Sequence, residues 1–476
     1  MTGPLDLPAD QMRSLGYKAI DAIVSHYESL QEQAAVKTWS RSETKNRPLD
    51  IGRSARDPNE VLEQVIEDVF QGAARLNHPR FFAFIPSPGN YISVLGDLLV
   101  SGFNVFAGTW LASSGPSEVE IRVLDWFRRL CAFPECARGL FVSGGSVANL
   151  TALAAARFDK LGEESGKGVL YASDQTHSSI DRAVRMLGFR SDQLVKVSSD
   201  EFGRLNLDPL KMAISKDLKG GRHPFCIVAN LGTTNFGAID DLVGLADLAE
   251  AHDLWLHGDG AFGAGALLSS RKDQLFTGIE RLDSLTVDPH KWLFQTIECA
   301  FLLVKNGSVL KDCFKIRPDY LKDVERADEE RNFCDYGIQL TRRPRALKLW
   351  LSLQVFGEEA FQKAIDRGFE LSEQSEKYIS SLDSWEIRSS AQLAILAFRF
   401  VEGNLSVEQG NQFHLDLVKA INQDGTAMLS STAFQGETVL RLCLINPNTT
   451  FADIERTMTR LTELGRELLV EFPRDL

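Results

Sequence analysis

The chain has 476 residues, 44% hydrophobic and 25% charged, enough to bury a large core without a break in composition that would mark a disordered or fibrous segment. Its 52 Lys and Arg against 65 Asp and Glu leave a net charge of −13, which argues against a nucleic-acid partner, for which a basic face is expected. Seven cysteines, odd in number and without metal-ligand spacing, suit a reducing compartment and predict neither a disulfide framework nor a metal site.

The opening Met1 to Pro8 lacks a basic region and an apolar core, so no secretory signal is expected. Two helical patterns follow. Met12, Leu15, Ile20, Ile23, Val24, Tyr27 and Leu30 recur at near-helical spacing, and Val61, Leu62, Val65, Ile66, Val69 and Phe70 at a clean one. Such faces need a partner surface, supplied either within the chain or by a second copy. The apolar run Tyr91 to Gly108 is interrupted by Asp97 and by glycines, so no membrane span is predicted and a cytoplasmic protein is expected.

From Phe81 to about Glu370 apolar strands alternate with helical segments, the pattern of an α/β domain with a mostly parallel sheet. Gly139-Leu140-Phe141-Val142 reads as a buried strand, Ser143-Gly144-Gly145-Ser146 as a tight loop, and Val147 onward as an Ala-rich helix. Glycines admit close approach of an anion, and the free N–H groups of a helix start favour a phosphate there. Tyr171-Ala172-Ser173 ends another strand ahead of His177, whose imidazole is placed to lie flat on a cofactor ring. Cys226 to Leu231 leads into Gly232-Thr233-Thr234, which offers small hydroxyls.

Two further strand ends carry the chemistry. Leu256-His257-Gly258-Asp259-Gly260-Ala261 supplies a carboxylate, and Thr286-Val287-Asp288-Pro289-His290-Lys291-Trp292 supplies a lysine. Either motif alone is more often a turn or a surface loop. Together, and in this order with the others, they provide an amine for a Schiff base and an acid for a pyridinium nitrogen, the two protein groups that pyridoxal phosphate chemistry requires.

With these segments, and with His78-Pro79-Arg80-Phe81-Phe82-Ala83-Phe84 and Asp335-Tyr336-Gly337, nearly the whole chain resembles the group II pyridoxal phosphate-dependent amino-acid decarboxylases. Within that family, Asn77 to Leu98 and Gln339 to Trp350 look most like the bacterial aromatic amino-acid and tryptophan decarboxylases. The resemblance implies a fold type I α/β subunit, with an N-terminal helical dimerisation segment (1–80), a large cofactor-binding domain (81–370) and a small C-terminal α+β domain (371–476). Lys291 would hold the cofactor's aldehyde, Asp259 would pair with the ring nitrogen, and His177 would stack on the ring with Ala261 near the opposite face. Gly145, Ser146, Thr234, Ser284 and His290 would lie around the cofactor or its phosphate, and Ser87 would face cofactor and substrate.

The resemblance also implies a homodimer with its active site at the interface. A charged stretch between Arg317 and Arg342, containing Asp319, Lys322, Asp323, Glu325, Arg326 and Asp328, reads by itself as a solvated connection. In the family it closes over the partner's site, and its tyrosine, matched by Tyr336, donates the Cα proton. Relatives with phenylalanine there tend to be aldehyde synthases, so Tyr336 favours simple decarboxylation.

For the substrate, Phe81 to Ser87 is apolar and aromatic, and Phe84, Ile85, Ser87, Phe106 and Gly108 are expected to line the pocket, with Trp110 nearby. Such walls suit an aromatic side chain better than a carboxylate, whose burial needs a paired cation. Gly108 stands where some catecholic-substrate relatives carry a bulky aromatic, an expectation of room for an indole; Gly108→Phe is then expected to depress activity on tryptophan more than on tyrosine. The chain departs from the family at Gly258 and Gly260, where larger residues are common, at Asp288, often asparagine, and at Thr341. Competing readings are an aldehyde synthase, a decarboxylase of acidic or aliphatic amino acids, or a non-enzymatic relative, the last expected to have lost Lys291, Asp259 or Tyr336.

The last region has strand-like runs at Leu393 to Phe398 and Val439 to Leu444. It closes on a helix with the apolar stripe Ile454, Met458, Leu461, Leu464 and Leu468, for which Thr450 is a predicted cap.

Overall fold

The computed structural model describes residues 5–316 and 329–471. The charged positions from Asp319 to Asp328 therefore lie outside the described residues. Seven of the apolar runs form one sheet: β1 (Arg138–Val142), β2 (Gly168–Ser173), β3 (Leu194–Val197), β4 (His223–Asn230), β5 (Trp255–Asp259), β6 (Ser284–Val287) and β7 (Ala300–Val304). Their order is β1-β7-β6-β5-β4-β2-β3, with β2 to β6 parallel and β7 antiparallel to both of its neighbours. The fold is α/β, as its pattern of alternating strands and helices predicts. β2, β5, β6 and β7 are buried along their whole length, and the sequences of β2 and β7 are accordingly almost wholly apolar.

The helix Gly145–Leu161 packs against β1, β4, β5, β6 and β7. It can lie that close because Ala148, Ala152, Ala155 and Ala156 occupy its buried face, each fully shielded from solvent. Four more strands, β8 (Trp385–Gln392), β9 (Ile395–Phe400), β10 (Ser430–Phe434) and β11 (Glu437–Cys443), form a smaller sheet in the order β10-β11-β9-β8.

The chain divides into two compact units. The larger, Phe84–Arg399 with Arg441–Pro447, contains the seven-stranded sheet. The other gathers the described residues up to Ala83, Phe400–Leu440, and the described residues from Asn448. One helix, Glu358–Ser380, runs through the position at 370 where a domain boundary was expected.

In the smaller unit, Arg80 Nη1 meets Asp453 Oδ1 at 3.0 Å with both side chains buried. Asp453 also completes the predicted cap, its backbone N–H donating to Thr450 Oγ1 while its Oδ2 accepts from the Thr450 N–H. The helix Ala9–Ser29 has no buried residue, and Met12 and Val24 on its apolar stripe stand exposed.

Among the described residues no helix is long and apolar enough to cross a membrane, and no group of His, Cys, Asp and Glu is arranged to hold a metal ion.

Candidate active site

A cavity of about 250 Å³ opens at the carboxyl edge of the large sheet. Because β1 runs in the same direction as β2, β4, β5 and β6, the loops that follow them leave the sheet on one side, where open α/β sheets bind ligands. Gly144, Gly145 and Ser146 come from the loop after β1 and His177 from that after β2. Asn230, Thr233 and Thr234 come from the end of β4, Asp259 and Ala261 from β5, and Asp288, His290 and Lys291 from the turn after β6.

Lys291 and Asp288 form the cationic and anionic groups of that last turn. Lys291 Nζ lies 3.0 Å from Asp288 Oδ2, and His290 Nε2 is 3.7 Å from the same oxygen. These pairings offset the negative charge that Asp288 brings where the family often has asparagine. The second oxygen, Asp288 Oδ1, is buried and has no hydrogen-bond partner. A Cβ added at Gly145 would stand 3.0 Å from Ala261 Cβ and 3.0 Å from Asp288 Oδ2, so only glycine leaves this wall open. The helix that begins there is capped by no side chain, and Gly144, Gly145 and Ser146 at its start line the cavity.

Asp259 is held by two donors. Asn149 Nδ2 donates to its Oδ2 at 2.9 Å, and the Ala261 N–H donates to its Oδ1 at 3.2 Å. Gly258 and Gly260 flank it because side chains would collide there: a Cβ at Gly258 would be 2.7 Å from Leu282 Cδ1, and one at Gly260 2.9 Å from the Thr286 carbonyl oxygen. The glycine departures are thus packing requirements of β5.

His177 Nδ1 is 2.9 Å from Ser179 Oγ and also accepts the Ser179 N–H at 3.2 Å. A nitrogen that accepts from a backbone N–H carries no proton of its own, so the neutral ring bears its hydrogen on Nε2. Burial is the largest influence on this imidazole and holds its pKa below the ordinary value; Asp259 opposes that shift and Lys291 reinforces it. The result is a neutral, flat, oriented ring at the cavity wall.

A lysine, a buttressed carboxylate, a neutral imidazole and an uncapped helix start in one cavity match what a pyridoxal cofactor needs. The same conclusion comes from similarity. The model of the pyridoxal-dependent decarboxylase conserved domain matches residues 43–401. The chain belongs to the pyridoxal-dependent decarboxylase family. It is 43% identical to the aromatic-L-amino-acid decarboxylase of Bacillus atrophaeus over 99% of both chains. It is 30% identical to a phenylacetaldehyde synthase of Arabidopsis thaliana over 98% of both. A solved structure of Oryza sativa TDC with PLP and tryptamine superposes with a TM-score of 0.92 at 25% identity, covering 98% of this chain and 100% of that one.

As a pyridoxal-dependent decarboxylase the protein uses pyridoxal phosphate, and the cavity fits it. The uncapped N–H groups at Gly145 and Ser146 suit the phosphate, Lys291 the aldehyde, and Asp259 the ring nitrogen. His177, Thr234, Ala261 and His290 also line the cavity.

The other residues singled out from the sequence lie elsewhere in this decarboxylase chain. Ser284 is fully buried behind the cavity, where its Oγ accepts from Trp255 Nε1 and pairs with His257 Nδ1, each at 2.8 Å. Ser87 Oγ donates to the His290 carbonyl oxygen, supporting the lysine turn from outside. Tyr336 does not line its own chain's cavity. The Cys334 N–H donates to the Gly108 carbonyl, the Trp110 N–H to Asn332 Oδ1, and the Arg342 guanidinium stacks over Phe333 and pairs with Glu120, pinning this segment beside residues 107–120. Phe84, Ile85, Phe106 and Gly108 are likewise outside the cavity lining. Phe84 is 60% exposed and held at a φ of +52°, with its carbonyl accepting from Arg441.

The expectation of spare room at Gly108 is overturned by its surroundings. An added Cβ would stand 2.5 Å from the Leu340 carbonyl oxygen and closer still to the Phe106 ring. Gly108→Ala is therefore expected to destabilise the fold by about 1–3 kcal/mol through overpacking, measured by denaturant titration. Gly108→Phe cannot report on indole specificity alone.

Asn149, Ser179 and His257 were missed in the sequence. His257 did carry a signal, since Trp255, His257 and Asp259 alternate along β5 and so share one face. Its pKa is held down to about 4, chiefly by burial, with Asp259 opposing. His257 is thus neutral when folded and titrates near its ordinary value when unfolded, so its contribution is present above pH 6.5 and is lost as pH falls from 6.5 towards 4. The loss should be on the order of 3 kcal/mol. Urea midpoints across that range should fall for the parent chain and fall less for His257→Gln.

Proposed function

We propose that this decarboxylase converts an aromatic L-amino acid (tryptophan, phenylalanine, tyrosine or DOPA) to its arylalkylamine and carbon dioxide. The observation that carries the reading is Lys291, Asp259 and His177 meeting in one cavity within a chain 43% identical, end to end, to an aromatic-L-amino-acid decarboxylase. When bound, pyridoxal phosphate supplies an electron sink for the pair left on Cα as carbon dioxide departs. The chain's residues do the rest. Lys291 would hold the cofactor's aldehyde and yield that place to the substrate amine, Asp259 would keep the ring nitrogen's proton, and His177 would lie against the ring. Tyr336 of a second copy delivers the Cα proton, which favours amine over the aldehyde named for the Arabidopsis relative.

The reading includes a homodimer in the cytoplasm. In its support, the larger unit exposes Leu98, Leu99, Phe103, Leu111, Ile338 and Leu340, an apolar set that a second copy would cover.

The test is to incubate cofactor-loaded protein with tryptophan, phenylalanine, tyrosine, DOPA, histidine, glutamate and aspartate, and to identify products by mass spectrometry. Tryptamine or phenethylamine as leading product supports the proposal. Amines from glutamate or aspartate overturn it, and aldehydes as main products replace it with the oxidative reading.

A further inference from the structure

Behind Asp259 runs a buried line of polar groups that the decarboxylation mechanism does not use. Its two ends have fixed roles: the Trp255 indole N–H can only donate, and the Asp259 carboxylate accepts. Between them, Trp255 Nε1 meets Ser284 Oγ at 2.8 Å, Ser284 Oγ meets His257 Nδ1 at 2.8 Å, His257 Nε2 meets Asn149 Oδ1 at 3.0 Å, and Asn149 Nδ2 meets Asp259 Oδ2 at 2.9 Å. Asn149, His257 and Ser284 are at most 1% exposed, so no solvent supplies alternative partners.

The intermediate hydrogens can be assigned from the ends. Asn149 Nδ2 has two N–H groups, and they go to Asp259 Oδ2 and to Ser179 Oγ, also 2.9 Å away. Its Oδ1 must then accept, so His257 carries its single proton on Nε2 and receives the Ser284 hydroxyl proton at Nδ1. Every donor points towards Asp259. Reversing the Asn149 amide would place a carbonyl oxygen against the carboxylate, and reversing the His257 tautomer would leave Asn149 Oδ1 without a donor. The geometry follows from the strands: His257 and Ser284 are register partners on β5 and β6, and His257 and Asp259 are two residues apart on one face.

We infer that His257 is a positioning residue for Asp259: by fixing the orientation of the Asn149 amide, it presents an N–H to the carboxylate and sets how strongly that carboxylate pairs with the cofactor's ring nitrogen. The same amide reaches His177 through Ser179, so one buried side chain orients both the acid at the ring edge and the imidazole on its face. Groups buried in low dielectric polarise one another, so loss of one donor in such a line is transmitted to its end. The inference rests on the reading that Asp259 pairs with the ring nitrogen.

The experiment is a comparison of cofactor affinities without substrate. Apo protein is titrated with pyridoxal phosphate and with the analogue in which C–H replaces the ring nitrogen, for the parent chain, His257→Phe, His257→Gln, Ser284→Ala and Asp259→Asn. His257→Phe should lose about tenfold in affinity for pyridoxal phosphate, the worth of one buried hydrogen bond to a charged group, while its affinity for the analogue changes less than about twofold. His257→Gln, which keeps a donor towards Asn149, should recover most of the loss. Ser284→Ala should move the two affinities in the same direction as His257→Phe and carries the test where the bulkier change prevents folding. Equal losses for both ligands in these variants would overturn the relay and leave His257 a packing residue. If Asp259→Asn discriminates between the ligands while neither relay variant does, the relay alone is overturned; if Asp259→Asn does not discriminate, the pairing falls and the relay with it.

Discussion

Lys291→Ala should abolish covalent retention of the cofactor and lower decarboxylation by at least about a thousandfold, equivalent to about 4 kcal/mol of barrier. Among the residues that line the cavity, Lys291 is the sole amine, and no other lining side chain can replace its bond to an aldehyde. Its position is not left to a flexible chain. Asp288 Oδ2 holds the ammonium at 3.0 Å, and the Lys291 N–H donates to the Asp288 carbonyl at 2.9 Å, so side chain and backbone are tied to the same residue. Borohydride treatment of the loaded parent protein should leave the cofactor on the peptide containing Lys291, and the variant should release it on gel filtration. Reduction onto a different lysine would remove Lys291 from its assigned role. The variant should still fold, because Lys291 is about a quarter exposed and lines the cavity rather than filling the packed core.

Most of the site was legible because its residues sit at strand ends, and strand ends are marked in sequence by an apolar run that stops at a polar residue or a glycine. Gly145, His177, Asp259 and Lys291 all follow such runs, and the parallel order of β2, β4, β5 and β6 gathers them at one edge. What escaped was information that only packing creates. Asn149 sits inside an Ala-rich helix, where nothing in the spacing says that its amide will reach Asp259. The family resemblance places Ser284 by the cofactor, yet its register with His257 turns it towards the imidazole. Gly108 suggested empty space, but a missing side chain leaves room only where no neighbour has taken it, and here the Phe106 ring and the Leu340 carbonyl have. The apolar stripe of Ala9–Ser29 was legible as a helix face; which surface covers it is not encoded in periodicity, and within this chain Met12 and Val24 remain exposed.

Tyr336→Phe should keep cofactor binding and stability near those of the parent while amine formation falls by about a hundredfold or more, the usual worth of a positioned general acid. Tyr336 is buried, but its ring lies against Phe333, 6.2 Å between centroids, and outside the cavity of its own chain, so removing its hydroxyl leaves the Lys291 cavity intact. The consequence is chemical. Once carbon dioxide has left, the electron pair at Cα is quenched by a proton; without the phenol it persists long enough for dissolved oxygen to take it, and after hydrolysis by water part of the product should be the arylacetaldehyde, with ammonia and hydrogen peroxide. Measuring amine, aldehyde and peroxide under air and under argon separates the two fates. Aldehyde that disappears under argon, with amine still low, supports Tyr336 as the proton donor. Undiminished amine from the variant would mean that another acid serves Cα, and the neutral His177, whose Nε2–H is left free by the bonds at its Nδ1, would be the next side chain to replace. Mixing Tyr336→Phe with Lys291→Ala chains then tests where the tyrosine acts: if each site borrows it from the partner, hybrid dimers holding one intact lysine and one intact tyrosine on different chains should regain amine formation, up to about a quarter of the parent's activity in an equal mixture, by random pairing of protomers.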